Sequence, residues 1–317
     1  MKRILFIMLL VIAASVLPDL SEALAQTRLP RANSAEDFFN RGVARYQQGD
    51  LEGAIRDFDR AIDLATSISP GSYAPNQIGV ITSESAVIHY NRGVVRYDLH
   101  NWDGAIADLD VALMFNPQYV MAWIKRGNTR MNKGDLDAAI NDYNQAIRLD
   151  PRSVIALNNR GLALQNKGEL DAALSAYARA LELDPRLTVA LNNRAGIKHD
   201  RGDLRGALND YNRAIEIDPR LALLYCNRGL TRKALGDLKG AIDDYTEAIR
   251  LKPDFNLAYF NRSAAWRAMG KGFEAEEDFL RSMAPGQEPE VSLEPPIEGV
   301  PPANATNRKV QSKGNHQ

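Results

Sequence analysis

Amide and guanidinium groups, rather than nucleophiles, are what this sequence sets out at regular spacing. Asparagine stands at Asn40, Asn91, Asn159, Asn193, Asn227 and Asn261, with Lys125 in the one register position that departs. Asn costs a helix roughly half a kcal/mol against Ala, so six copies inside helical segments call for a reason. An amide carries both donors and an acceptor, the same pairing a peptide group presents. An arginine follows each of these positions: Arg41, Arg92, Arg126, Arg160, Arg194, Arg228 and Arg262. A second basic residue comes four residues later at Arg45, Arg96, Arg130, Lys198 and Arg232, and an aspartate recurs downstream at Asp57, Asp108, Asp142, Asp210 and Asp244. Two antiparallel helices joined by a short turn bring such positions together, so an ion pair between helices is expected in each unit. One unit lacks both later members, with Leu164 and Ala176 in their places, and another has Trp266 with Asp278, where Arg262 is the candidate partner.

Bond-making chemistry finds no comparable support. The four histidines, His89, His100, His199 and His316, form no metal-ligand pair at helical spacing. No nucleophile elbow, phosphate-cradling loop or zinc-protease signature occurs. The single cysteine, Cys226, excludes a disulfide within the chain and a cysteine-cluster metal site. No cofactor is called for, and the expected activity is non-enzymatic. A net charge of −1 gives no footprint for nucleic acid or an anionic membrane surface.

The elements that carry these groups repeat every 34 residues, a step marked by Pro117, Pro151, Pro185, Pro219 and Pro253. A fixed period of this length signals stacked supersecondary units. In the stretch 120–151, Trp123, Gly127, Gly134, Asp135, Ala139, Tyr143, Ala146 and Pro151 resemble the tetratricopeptide repeat, a helix–turn–helix unit. Seven such units are expected over 35–283. The resemblance implies an all-α fold, a right-handed α-α superhelical solenoid whose first helices line a concave groove. Arrays similar to this one bind peptides there; that of O-linked N-acetylglucosamine transferase presents an asparagine ladder from the matching register. By that resemblance the peptide-binding candidates are Asn91, Asn159, Asn193, Asn227 and Asn261, with Asn158, Asn192, Tyr90, Tyr97 and Asn128 beside them. The asparagines bonding to neighbouring helices, and so only shaping the array, is the competing reading of the same residues.

The units are not all alike. Repeats three to six turn on Gly-Asp or Gly-Glu, where glycine suits a left-handed cap and the acid suits a helix N-terminus. Repeat two has His100-Asn101 instead. Between the first two units lies an insertion at 65–83, read as a projecting loop from Pro70-Gly71 and Pro75-Asn76. In repeat seven the aliphatic position of the second helix becomes Glu276, followed by Glu277, which reads as a polar capping end. Residues 284–317 are Pro-rich and without aromatics, the composition of a disordered tail.

The chain begins with Lys2 and Arg3, an apolar run from Ile4 to Leu17, and Ala23-Leu24-Ala25. That layout is a secretory signal peptide over 1–25, followed by a leader over 26–34. The run is shorter than the roughly 20 residues a membrane span needs. An exported protein with no span after cleavage is expected, periplasmic rather than secreted. Its expected partner is a protein or peptide held in the groove; the alternative is a structural module that docks through 65–83 or through the tail.

Overall fold

The computed structural model describes residues 33–66 and 75–283; the signal, leader start and tail assignments lie outside them. Among the described residues there are fourteen α-helices and no strand. They run α1 (Ala35–Gln47), α2 (Leu51–Thr66), α3 (Pro75–Asp98), α4 (Trp102–Phe115), α5 (Val120–Asn132), α6 (Leu136–Leu149) and α7 (Val154–Lys167). The remainder are α8 (Leu170–Leu183), α9 (Thr188–Asp200), α10 (Leu204–Ile217), α11 (Ala222–Ala234), α12 (Leu238–Leu251), α13 (Asn256–Ala268) and α14 (Gly272–Ser282). Odd-numbered helices are the first, and even-numbered the second, of seven hairpins. No described helix is long and apolar enough to cross a membrane.

Two compact units divide at Ala122 and Trp123. In the first, α1 packs on α2, α2 on α3, and α3 on α4. Ser34 opens it with a reciprocal cap: its hydroxyl accepts from the Asp37 amide, and the Asp37 carboxylate accepts from the Ser34 amide, each at 3.1 Å. Phe58 fills the core with Ala54, Ala61, Ile88 and Val95. The insertion here differs from the expected loop. Pro75 is the first residue of the 24-residue α3, so the later part of 65–83 is helical and continuous with the first helix of repeat two. Proline is compatible with that place, since the first turn leaves its missing N–H without an intrahelical acceptor.

In the second unit three hairpins close a glycine against their own ring. A methyl group on Gly161 would lie 2.6 Å from Cε1 of Tyr177, and the same crowding holds Gly127 against Tyr143 and Gly229 against Tyr245. Those glycines let the two helices close on the aromatic side chain. Tyr143, Tyr177 and Tyr245 are fully buried. Leu164, Tyr177, Leu181, Leu191, Ile197, Ile215 and Leu224 form one continuous cluster running through α7 to α11. A single hairpin cannot cover its apolar face, so this stacking of successive hairpins within the second unit supplies the stability.

Two apolar residues of the second helices, in register with buried or half-buried ones elsewhere, fall outside the core. Leu149 ends α6 and is 40% exposed, while Phe279 on α14 is 37% exposed. No further described helix follows α14 to cover Phe279. The expected polar end is mixed: Glu276 and Glu277 are exposed, but so are Phe273, Leu280 and Met283.

Candidate interaction face

The turns set the register of every functional side chain. Gly134, Gly168, Gly202 and Gly236 all have φ between 81° and 88°, the left-handed cap that glycine adopts without strain. The next acid then caps the second helix: Asp135, Asp203 and Asp237 accept from Ala138, Gly206 and Gly240 amides at 3.2, 2.9 and 2.9 Å. His100 takes the same turn at φ 57°, the one non-glycine described there.

With the register fixed, six of the seven arginines meet an aspartate 16 residues on, and Arg160, with Ala176 there, does not. Arg41 donates to Asp57 at 2.8 and 2.6 Å, Arg126 to Asp142 at 3.0 and 2.7 Å, and Arg194 to Asp210 at 2.8 and 2.6 Å. Arg92 with Asp108, Arg228 with Asp244 and Arg262 with Asp278 are the same two-point pair. The second basic residue joins it: Arg45, Arg96, Arg130, Lys198 and Arg232 lie 2.7 to 3.1 Å from the same carboxylates. The six carboxylates are at most 4% exposed. Burial alone would raise the pKa of Asp108; bonds from His89 and Arg92 and the charges of Arg92 and Arg96 hold it below the ordinary carboxylate value. Rings stack on several of these arginines, with Trp123 under Arg126 at 4.6 Å and Phe38 under Arg41 at 4.9 Å.

The asparagines sit on the same first helices as these arginines. Asn128 and Asn159 are sealed from solvent, and Asn158, Asn192, Asn193 and Asn261 are nearly so. Tyr143 Oη donates to Asn128 Oδ1 at 2.8 Å, Asn159 Nδ2 donates to the same oxygen at 3.0 Å, and Asn158 Nδ2 donates to Asn159 Oδ1 at 3.2 Å. Asn227 Nδ2 reaches Asn192 Oδ1 at 2.9 Å, and Asn261 Nδ2 reaches Cys226 Sγ at 3.7 Å. The bonds Asn159 to Asn128, Asn227 to Asn192 and Asn261 to Cys226 tie first helices of consecutive hairpins to one another. The presentation thus differs from an open ladder: the amides pack between helices because neighbouring first helices approach closely. In the first unit Asn91 bonds its own helix at Val87 O (2.8 Å), Tyr90 is buried against Tyr119, and Tyr97 is buried edge-on to Trp102. Exposed groups on first helices include Phe260 and Arg267, with Gln165, His199 and Lys233 half-buried.

Cys226 is buried, and desolvation pushes its thiol up to about 11, an inert setting. Sequence reasoning did not find two features. The buried chain Asn158–Asn159–Asn128–Tyr143 leaves Asn128 Nδ2 and Asn158 Oδ1 buried with no hydrogen-bond partner. His199 Nδ1 sits 3.0 Å from Thr231 Oγ1, another link between first helices, at a spacing of 32 residues that the 34-residue comparison passes over.

Stacked two-helix units, closed by small residues and bonded to one another through polar side chains, define a helical-repeat scaffold for protein interaction. The "TPR repeat" profile matches 127–168 and 196–236, and two "Tetratricopeptide repeat" profiles match 154–187 with 222–255, and 35–67. The chain belongs to the tetratricopeptide-repeat family. A solved tetratricopeptide repeat protein from Parabacteroides merdae is similar over 82% of this chain and 96% of its own, at 20% identity and a TM-score of 0.60. PilW, a widely conserved type IV pilus biogenesis factor, is similar over 61% of this chain and 90% of its own, at 19% identity and a TM-score of 0.57. MamA is 26% identical over 50% of this chain and 92% of its own, with a TM-score of 0.47. No curated protein matches the chain.

Proposed function

We propose that the array is a non-enzymatic scaffold that holds an extended protein segment along the face of its first helices, as an exported and periplasmic protein. The buried amide chain carries the reading. Its internal bonds use Asn128 Oδ1 and Asn158 Nδ2, and leave one donor and one acceptor over at Asn128 Nδ2 and Asn158 Oδ1. A buried polar group without a partner costs about 1–3 kcal/mol. One peptide group supplies the matching acceptor and donor. Binding therefore requires a small opening between α5 and α7 rather than a preformed, fully exposed ladder.

Photo-crosslinking tests this. A benzoylphenylalanine in place of Gln165 or Phe260, on first helices, is compared with one at Arg179 or Leu149, on second helices. Crosslinks to a common partner segment from the first-helix positions alone are the expected result. Crosslinks from both sets equally, or only from probes within 65–83 or the tail, would favour the structural-module reading instead. Fractionation of the mature chain with periplasmic markers checks the location.

A further inference from the structure

We propose that Arg160 is where the bound protein places an acidic side chain, its carboxylate taking the position that an aspartate of the chain itself takes in the other six repeats; this rests on the reading that the array binds a protein segment. Arg160 Nη1 donates to Asn144 Oδ1 at 3.1 Å. Arg228 and Arg262 make the equivalent bond, to Asn212 and Thr246, both at 2.9 Å and both 16 residues upstream. In those two repeats the same guanidinium turns its Nε and Nη2 edge to Asp244 or Asp278. The shared Nη1 bond fixes the pose, so the Nε and Nη2 edge of Arg160 faces the register of Ala176.

No carboxylate among the described residues is bonded there. Ala176 is sealed, Leu164 is buried in place of the second basic residue, and Nε of Arg160 is buried with no hydrogen-bond partner. The stacked ring is missing as well: Leu157 stands where Trp123, Tyr225 and Tyr259 stack on their arginines. Desolvation lowers the pKa of Arg160, yet a guanidinium stays charged at neutral pH. A half-buried cation thus lacks both the carboxylate and the ring that offset desolvation at Arg126, Arg228 and Arg262. Nε itself is sealed, but Arg160 as a whole is only half-buried, so an incoming carboxylate reaches that edge after a small shift of the guanidinium. The fork suits a planar carboxylate, which it grips at two points. The apolar floor of Leu164 and Ala176 offers no donor for a larger, more highly charged anion.

The test compares thermal unfolding of the full chain, Arg160→Gln and Ala176→Asp in sodium formate and in sodium chloride at equal ionic strength. Formate should raise the Tm of the unaltered chain above its value in chloride. Ala176→Asp should raise the Tm by itself and abolish the formate difference, and Arg160→Gln should abolish that difference without a large loss of stability. Equal responses in all three proteins, or an Ala176→Asp protein no more stable than the parent, would overturn the proposal. Failure of the crosslinking with a formate effect confined to the unaltered chain would remove the groove and keep the Arg160 site. Crosslinking from the first helices with no formate effect would do the reverse. Where a segment is captured, it should carry Asp or Glu, and Arg160→Gln should weaken its capture about tenfold, which is about 1.4 kcal/mol.

Discussion

A carboxylate held between two cations is the unit of chemistry that this chain repeats most faithfully. Attraction inside such a cluster is offset by desolvation, so its net worth is modest, but removing one member leaves buried charge unmatched. Asp142, gripped by Arg126 and by Arg130, is the clearest case. Asp142→Asn should cost about 3 kcal/mol in urea unfolding, near the lower end for a broken buried pair. Asp108 adds a pH signature. Its folded pKa lies below the unfolded value of about 3.9, so its stabilisation is complete above that value and is lost as pH falls through the folded one. The stability gap between the unaltered chain and Asp108→Asn should therefore be full at pH 6 and shrink progressively below about pH 4; a gap unchanged down to pH 3 would refute the assignment. An ion pair in most hairpins was legible in the sequence, from the later basic residue and the aspartate across the turn; that the earlier arginine makes the two-point grip was legible only for Arg262. The sealing of Asn159 and Asn193 was not legible. Periodicity tells which side of a helix a residue occupies, but not how near the next helix comes.

At the scale of the helices, caps and close approaches decide the outcome. Glu169 is the N-cap of α8 without a side-chain bond to the helix, whereas Asp203 caps α10 through the Gly206 amide at 2.9 Å. The longer glutamate side chain leans instead to Lys167 at 2.7 Å, an exposed pair of little worth. Glu169→Asp should raise stability by about 1 kcal/mol and Asp203→Ala should lower it by about the same amount, both read from urea midpoints. The Gly161 contact with Tyr177 makes the opposite prediction. Gly161→Ala forces the ring aside and should cost about 2 kcal/mol as overpacking, although Ala favours a helix interior over Gly by about 1 kcal/mol. A gain in the urea midpoint would show that the ring has room. Repeat five carries Ala195 at that register, against Tyr211, so the array itself shows the ring can be repositioned when its neighbours allow it. The helix that starts at Pro75 escaped the sequence reading for a local reason. Pro75-Asn76 is equally a turn signal and a helix start, and only its neighbours decide between them.

For the whole molecule, the repeated architecture was legible because seven copies of one apolar pattern leave a single way to bury it. The partner was not, because the 34-residue step records how hairpins pack on each other and says nothing of what they hold. Even the departures from the step divide this way. Leu164 and Ala176 are buried and leave the packing intact, while changing what Arg160 can meet. An array stabilised by nearest neighbours carries one further consequence. The residues from Trp123 onward have their own core, running from the cluster around Tyr177 and Leu191 to that around Cys226 and Tyr245. Stability in such arrays is the sum of unit and interface contributions, with no need of distant contacts. A fragment of residues 117–283, begun at Pro117 so that α5 stays whole, should keep the far-ultraviolet dichroism per residue of a helical protein and unfold in one cooperative transition. Adding Tyr245→Ala, which empties the space Gly229 closes upon, should cost about 3–5 kcal/mol and loosen amide-exchange protection first in α11 to α14. A fragment that melts without cooperativity, or a substitution whose exchange effect is uniform from α5 to α14, would contradict neighbour-by-neighbour stabilisation.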